Sequence, residues 1–120
     1  MTLSKIFVGI AAALQLSFLV LEMFFWTKPT GLAVFKLNKE FAEQSKVLAM
    51  NQGLYNGFIA AGFIWALFHA DPVAYYQLSI FFAACMFVAA VFGALTVSWS
   101  IIVVQGLPAA LVLASIYFYW

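Results

Sequence analysis

The sequence predicts an all-α integral membrane protein: a four-helix bundle with a juxtamembrane amphipathic helix between spans one and two. Three observations predict it. Of 120 residues, 68% are hydrophobic and only 8% charged, against roughly half apolar and a quarter charged in a soluble domain. Mean hydropathy is +1.10. The length suits four spans of about 20 residues each and one ordered connection, and most of the charges gather in a single stretch between the first and second apolar runs. The chain 1–120 is therefore read as a single transmembrane domain, with the lipid bilayer as its principal partner.

The first span is expected over 6–26, a nearly unbroken apolar run beginning at Ile6 and ending at Trp26. Lys5 in front of it resembles the start of a secretory signal. The small residues Ala11 and Ala13 stand too early for cleavage, and the bulky residues after them include Glu22, so a retained helix is expected. Lys28, Pro29 and Gly31 end it, because proline disfavours helix at the residue before it and glycine loosens the backbone.

The connector 31–49 gathers Lys36, Lys39, Glu40, Glu43 and Lys46 among Val34, Phe35, Leu37, Phe41 and Leu48. Asn38 is a helix-cap candidate. Phe41 and Leu48 lie seven apart on one helical face, with Glu43 and Lys46 placed to pair at i, i+3 on the other. This pattern predicts a surface helix running directly into the second span, 50–69, which contains no proline. His69, Ala70, Asp71 and Pro72 form the next turn, with Asp71 as cap and Pro72 at the first helical position.

Spans three and four are expected over 73–96 and 98–120. Tyr75 and Tyr76 on one side, Trp26 and Trp99 on the other, and Tyr117, Tyr119 and Trp120 at the end stand where interfacial aromatic belts are expected. Lys28, Lys36, Lys39 and Lys46 lie between spans one and two, so the positive-inside rule puts that connector in the cytoplasm and both termini outside a multi-pass cell-membrane protein. The triplet Gln52-Gly53-Leu54 is echoed by Gln105-Gly106-Leu107, which raises a parallel repeat of two helix pairs against chance or shared packing.

Composition also excludes functions. Five lysines, no arginine and four acidic residues leave a net charge of +1, no surface on which to hold a phosphate backbone, so no nucleic-acid partner is expected. The lone Cys85 forms no internal disulfide or dithiol pair and is read as an inert core thiol. His69 and Asp71 are too few to hold a metal. No phosphate-binding glycine loop, nucleophile triad or acid and base pair is present, so no cofactor is expected and the reading leans away from an enzyme.

Glu22 is the exception within the apolar runs, because an ionisable group in a span is costly and normally faces a partner or a water-filled cavity. It stands one turn before Trp26, about 6 Å from the helix end at 1.5 Å per residue. Two readings are open: an interfacial carboxylate pairing with Lys28 or nearby hydroxyl and amide groups, or a proton- or ligand-binding group. Gln15 lies seven residues earlier on almost the same face. Asn51, Gln52, Tyr55 and Asn56 open span two at the level of Glu22, and Gly53, Gly57 and Ala61 form a small-residue stripe for close helix approach. Pro108 leaves the carbonyl of Val104 without its donor beside Gln105 and is expected to kink span four. If spans one, two and four adjoin, Glu22, Gln15, Asn51, Gln52, Asn56 and Gln105 form one polar pocket.

The runs Leu21-Glu22-Met23-Phe24-Phe25-Trp26-Thr27, Phe41-Ala42-Glu43, Asn51-Gln52-Gly53-Leu54-Tyr55-Asn56-Gly57-Phe58 and Gln105-Gly106-Leu107-Pro108-Ala109 resemble a bacterial family of small membrane proteins known as domain of unknown function thirteen hundred and four. The resemblance covers nearly the whole chain and implies a four-span fold with no assigned activity. Its pattern often has histidine near the position of Gln15, where this chain departs.

Two function classes follow. One is a pocket in the membrane for a small lipophilic or cationic ligand, or a proton-coupled carrier, in which Glu22 exchanges a proton or cation and the amides orient it. The chain length and the lone glutamate of the first span are similar to those of small multidrug-resistance exporters. The other is a structural or accessory subunit whose small-residue seams join a homodimer or a larger membrane complex. An intramembrane isomerase-like enzyme, using one carboxylate and neutral amides, stands third.

Overall fold

The computed structural model describes residues 2–119, and every regular element among them is helical. In chain order these are α1 (Thr2–Phe24), α2 (Pro29–Phe35), α3 (Lys39–Phe68), α4 (Pro72–Thr96), a π turn (Ile102–Gly106) and α5 (Leu107–Tyr119). α1 and α4 are long and apolar enough to cross a membrane. α3 has the length, but its apolar half carries Asn51, Gln52 and Asn56, and the last apolar helix, Ile102–Phe118, is shorter. Two of the four expected spans thus have both the length and the composition. Trp120 and the Tyr119 side chain lie outside the described residues.

The chain forms two compact units, Ala13–Ala60 and a second made of Met1–Ala12 with Ala61–Trp120. In the first, α1 ends at Phe24, two residues short of the expected Trp26, and Pro29 opens a new helix rather than only closing the old one. The connector is not one helix. α2 stops where Lys36 adopts a left-handed conformation (φ 55°) and the Leu37 N–H reaches back to the Leu32 carbonyl at 3.0 Å, an ending that satisfies carbonyls left over by the last turn. The chain restarts at Asn38, whose Oδ1 accepts from the Phe41 N–H at 2.7 Å, and α3 then continues into the apolar run without a break, as expected.

Along the part of α3 that belongs to this unit, the inward face is made of small residues, Ala42, Ala49, Gly53 and Ala60, with Asn56 among them. Phe41, Val47 and Leu48 point outward. Ala60, and not the expected Ala61, continues the seam. Glu43 and Lys46 do approach, at 4.0 Å, but both side chains are half exposed, so the pair adds little stability.

In the second unit, Asp71 accepts from the Val73 N–H at 3.1 Å and Pro72 opens α4, the expected cap. The His69 Nδ1 accepts from the Asp71 N–H, which tightens the turn. The buried face of α4 runs through Tyr75, Ser79, Ala83, Met86, Ala90 and Ala94 at helical spacing. Tyr75 is therefore a core residue and not part of an interfacial belt: its hydroxyl shares a hydrogen bond with Ser4 Oγ at 2.7 Å, because a buried phenol needs a polar partner. Trp99 and Tyr117 are exposed. Cys85 is half-buried on an outer face beside Phe81, Val88 and Phe92, so it is not the core thiol expected.

Before Pro108 the helix widens into a π turn, with the Leu107 N–H bonded to the Ile102 carbonyl, where a simple proline kink was expected. Single π turns are rare and relieve a backbone whose hydrogen-bond register is interrupted. Gly53 stands in regular α-helix and Gly106 at the end of this π turn, so the two Gln-Gly-Leu triplets do not share a conformation.

Candidate functional site

Glu22 stands near the C-terminal end of α1, with Gln15 two turns earlier on the same face. Across from them is α3. Gly53 makes that approach close: a Cβ there would lie 2.8 Å from Met23 Cγ, 3.1 Å from Glu22 Cβ and 3.2 Å from the Leu19 carbonyl oxygen. At Gly57 a Cβ would run into the end of the Leu19 side chain. The missing side chains let the two backbones come together, so that Asn56, with its short side chain, reaches α1.

Asn56 Nδ2 donates to Glu22 Oε1 at 2.5 Å, and Asn56 Oδ1 accepts from Gln15 Nε2 at 3.5 Å. The second bond is at the long limit for N–H to oxygen. The three side chains form a continuous chain of donors aimed at the carboxyl, and all are deeply buried: Gln15 is 1% exposed, Asn56 7% and Glu22 8%. Burial of a carboxyl is costly unless hydrogen-bonded, and the Asn56 amide supplies that bond. The other end is open, since Gln15 Oε1 is buried with no hydrogen-bond partner.

The corner beyond Glu22 holds α1 at a fixed height against α3. Trp26 Nε1 donates to Ser45 Oγ at 3.0 Å, and Ser45 in turn donates to the Phe41 carbonyl at 2.7 Å. The Trp26 ring lies 5.0 Å from that of Phe35, which also meets Phe18 at 6.3 Å. Gly31 has no room for a side chain, because a Cβ would collide with the Phe25 carbonyl.

Of the six residues expected in the pocket, Gln15, Glu22 and Asn56 come together. Asn51 and Gln52 are exposed on α3. Gln105 is half-buried in the π turn and belongs to the other unit. Glu22 pairs with an amide rather than with Lys28. The small-residue seam of Gly53 and Gly57 is filled within the chain, by Leu19, Glu22 and Met23. Among the described residues no group of three His, Cys, Asp or Glu side chains could hold a metal ion.

Sequence reasoning missed two features. The first is Ser79 on α4, fully buried with its hydroxyl unpartnered. It is one turn from Tyr75, and the i, i+4 spacing that puts Tyr75 and Ser79 on one helical face was the available signal. The second is the π turn, for which Pro108 signalled an interruption but not its form.

An uncharacterized protein, YpaA, of Lactococcus lactis subsp. lactis (strain IL1403) is 36% identical over 123 residues, which covers 98% of this chain and 100% of that protein. No solved structure matches the chain. Residues 9–117 match the family described as protein of unknown function (DUF1304). With most of its length matched and a relative similar from end to end, the chain belongs to that family.

Proposed function

We propose that this is a four-span membrane protein in which Glu22 holds and exchanges a proton or a small cationic ligand, oriented by Asn56 and Gln15. In this reading the apolar half of α3 and the helix beyond the π turn complete the spans, the lysine-bearing connector faces the cytoplasm, and both termini lie outside.

One observation carries the reading: the hydrogen-bonded chain Gln15, Asn56, Glu22, buried in an apolar helix pair and containing the one carboxyl among the buried polar residues described. A carboxyl placed in a span for packing alone is costly to keep there. A carboxyl that gains and loses a proton, or meets a cation, has a use for that position.

The test is proton movement into proteoliposomes loaded with a pH-sensitive dye, driven by an imposed potassium diffusion potential, with ethidium as the cation probe in parallel. Glu22→Gln keeps the shape and an oxygen to accept from Asn56 but removes the titrating group. It should abolish proton-linked flux. Flux equal to that of the native protein would overturn the proposal. Accessibility of terminal tags from the outer face tests the orientation.

A further inference from the structure

The two amides of this chain, Gln15 and Asn56, are oriented, and the orientation has a direction. An ionised carboxylate only accepts hydrogen bonds. Asn56 must therefore turn its NH2 toward Glu22, which turns its oxygen toward Gln15, which in turn must offer its own NH2. Each bond dictates the next. The result is an acceptor, Gln15 Oε1, left buried and unpartnered at the far end.

An amide is nearly the same shape with O and N exchanged, so a half-turn about its last side-chain bond replaces acceptor by donor without moving the backbone. A proton carried on Glu22 Oε1, the oxygen that faces Asn56, makes that atom a donor. Asn56 Oδ1 then accepts it, Asn56 Nδ2 turns to Gln15, Gln15 Oε1 accepts from it, and the Gln15 NH2 becomes the open end. Three side chains at 8% exposure or less have little water with which to satisfy the mismatched orientation instead.

We propose that Gln15, Asn56 and Glu22 form a relay in which the proton on Glu22 sets the hydrogen-bonding polarity at Gln15. Gln15 accepts from an N–H donor while Glu22 is ionised and becomes a donor when Glu22 is protonated. This rests on the proposed function in taking Glu22 to titrate, and adds to it a second recognition point, for a ligand carrying N–H groups such as a primary ammonium. Ligand and proton then exclude one another without competing for the same atom. Glu22 is approached from α1 and α3, by Asn56 and the Gly53 backbone. Lys28, Lys36, Lys39, Glu40 and the Glu43–Lys46 pair make no ion pair with it.

The relay is tested by solid-state NMR of the full-length protein in lipid bilayers, with 13C-labelled glutamate and side-chain 15N-labelled glutamine. The Gln15 signal is identified by its loss in Gln15→Met. Expected is a shift of the Gln15 side-chain nitrogen that follows the Glu22 carboxyl through its titration and vanishes in both Glu22→Gln and Asn56→Leu. Methylammonium should move the Gln15 signal only when Glu22 is ionised. Tetramethylammonium, which has no N–H, should not move it. A Glu22 that titrates while Gln15 stays silent, or a Gln15 step that persists in Glu22→Gln, overturns the relay and leaves the proposed function standing. Equal responses to the two ammonium probes overturn donor recognition at Gln15. A Glu22 that does not change protonation state overturns both.

Discussion

Replacing Gly53 by alanine tests whether the close approach of α1 and α3 builds the site. Two opposed effects act in Gly53→Ala. Alanine favours helix over glycine by about 1 kcal/mol. Against that, the new methyl would meet Met23 Cγ at 2.8 Å, Glu22 Cβ at 3.1 Å and the Leu19 carbonyl oxygen at 3.2 Å. Only the first neighbour is in a flexible side chain. The backbone oxygen and the Cβ cannot turn aside, so α1 must move away by a few tenths of an ångström, and overpacking of this kind costs about 1–3 kcal/mol. Gly9→Ala is the matched control on α1, because a Cβ at Gly9 meets nothing within 4 Å. Subtracting one variant from the other removes the helix-propensity gain and leaves the overpacking, so Gly53→Ala should be less stable than Gly9→Ala by about 1–3 kcal/mol. Gly57→Ala should fall between them, since its obstacle is the mobile end of Leu19. Unfolding in mixed micelles, followed by circular dichroism against increasing dodecyl sulfate, measures all three. Equal stability of the Gly53 and Gly9 variants would refute the reasoning. A Gly53→Ala protein that is destabilised yet keeps native proton flux would show that the approach serves packing alone.

Other outcomes follow from local geometry. Lys36 holds a left-handed conformation at φ 55°, which costs a side-chain-bearing residue roughly 1–2 kcal/mol, so Lys36→Gly should stabilise the α2–α3 corner by about 1 kcal/mol. An unchanged or lower midpoint in the same assay would contradict this. Asp71→Ala removes the cap on the Val73 N–H and should destabilise by about 1 kcal/mol, whereas Asp71→Asn should restore most of it. Gly31→Ala places a methyl on the Phe25 carbonyl and should disrupt the corner that holds Trp26 against Ser45, read as a change in tryptophan fluorescence. A native emission spectrum would count against the contact.

Most of the helical elements were legible because their signals are local. Asp71 followed by Pro72 states a helix start within two residues, and Asn38 does so for α3. The connector was harder. Gly31 to Met50 reads as one amphipathic pattern, yet Lys36 in the left-handed region divides it, and nothing about a lysine announces that conformation. The π turn was hidden for a related reason: Pro108 marks a missing donor, but how the backbone closes around it depends on the packing of the whole segment.

The sequence by itself determined that the chain is helical and apolar, that its charges stand outside the expected apolar spans except at Glu22, and that amides stand within reach of that carboxyl. These follow from composition and spacing, which no packing alters. Only the tertiary structure decided which amide meets Glu22. The buried face of α3 passes through Ala42, Ala49, Gly53, Asn56 and Ala60. At about 100° per residue, Gln52 falls at its edge and Asn51 on the far side. That rotation is set by where the glycines allow α1 to approach, a property of two helices together and not of either alone.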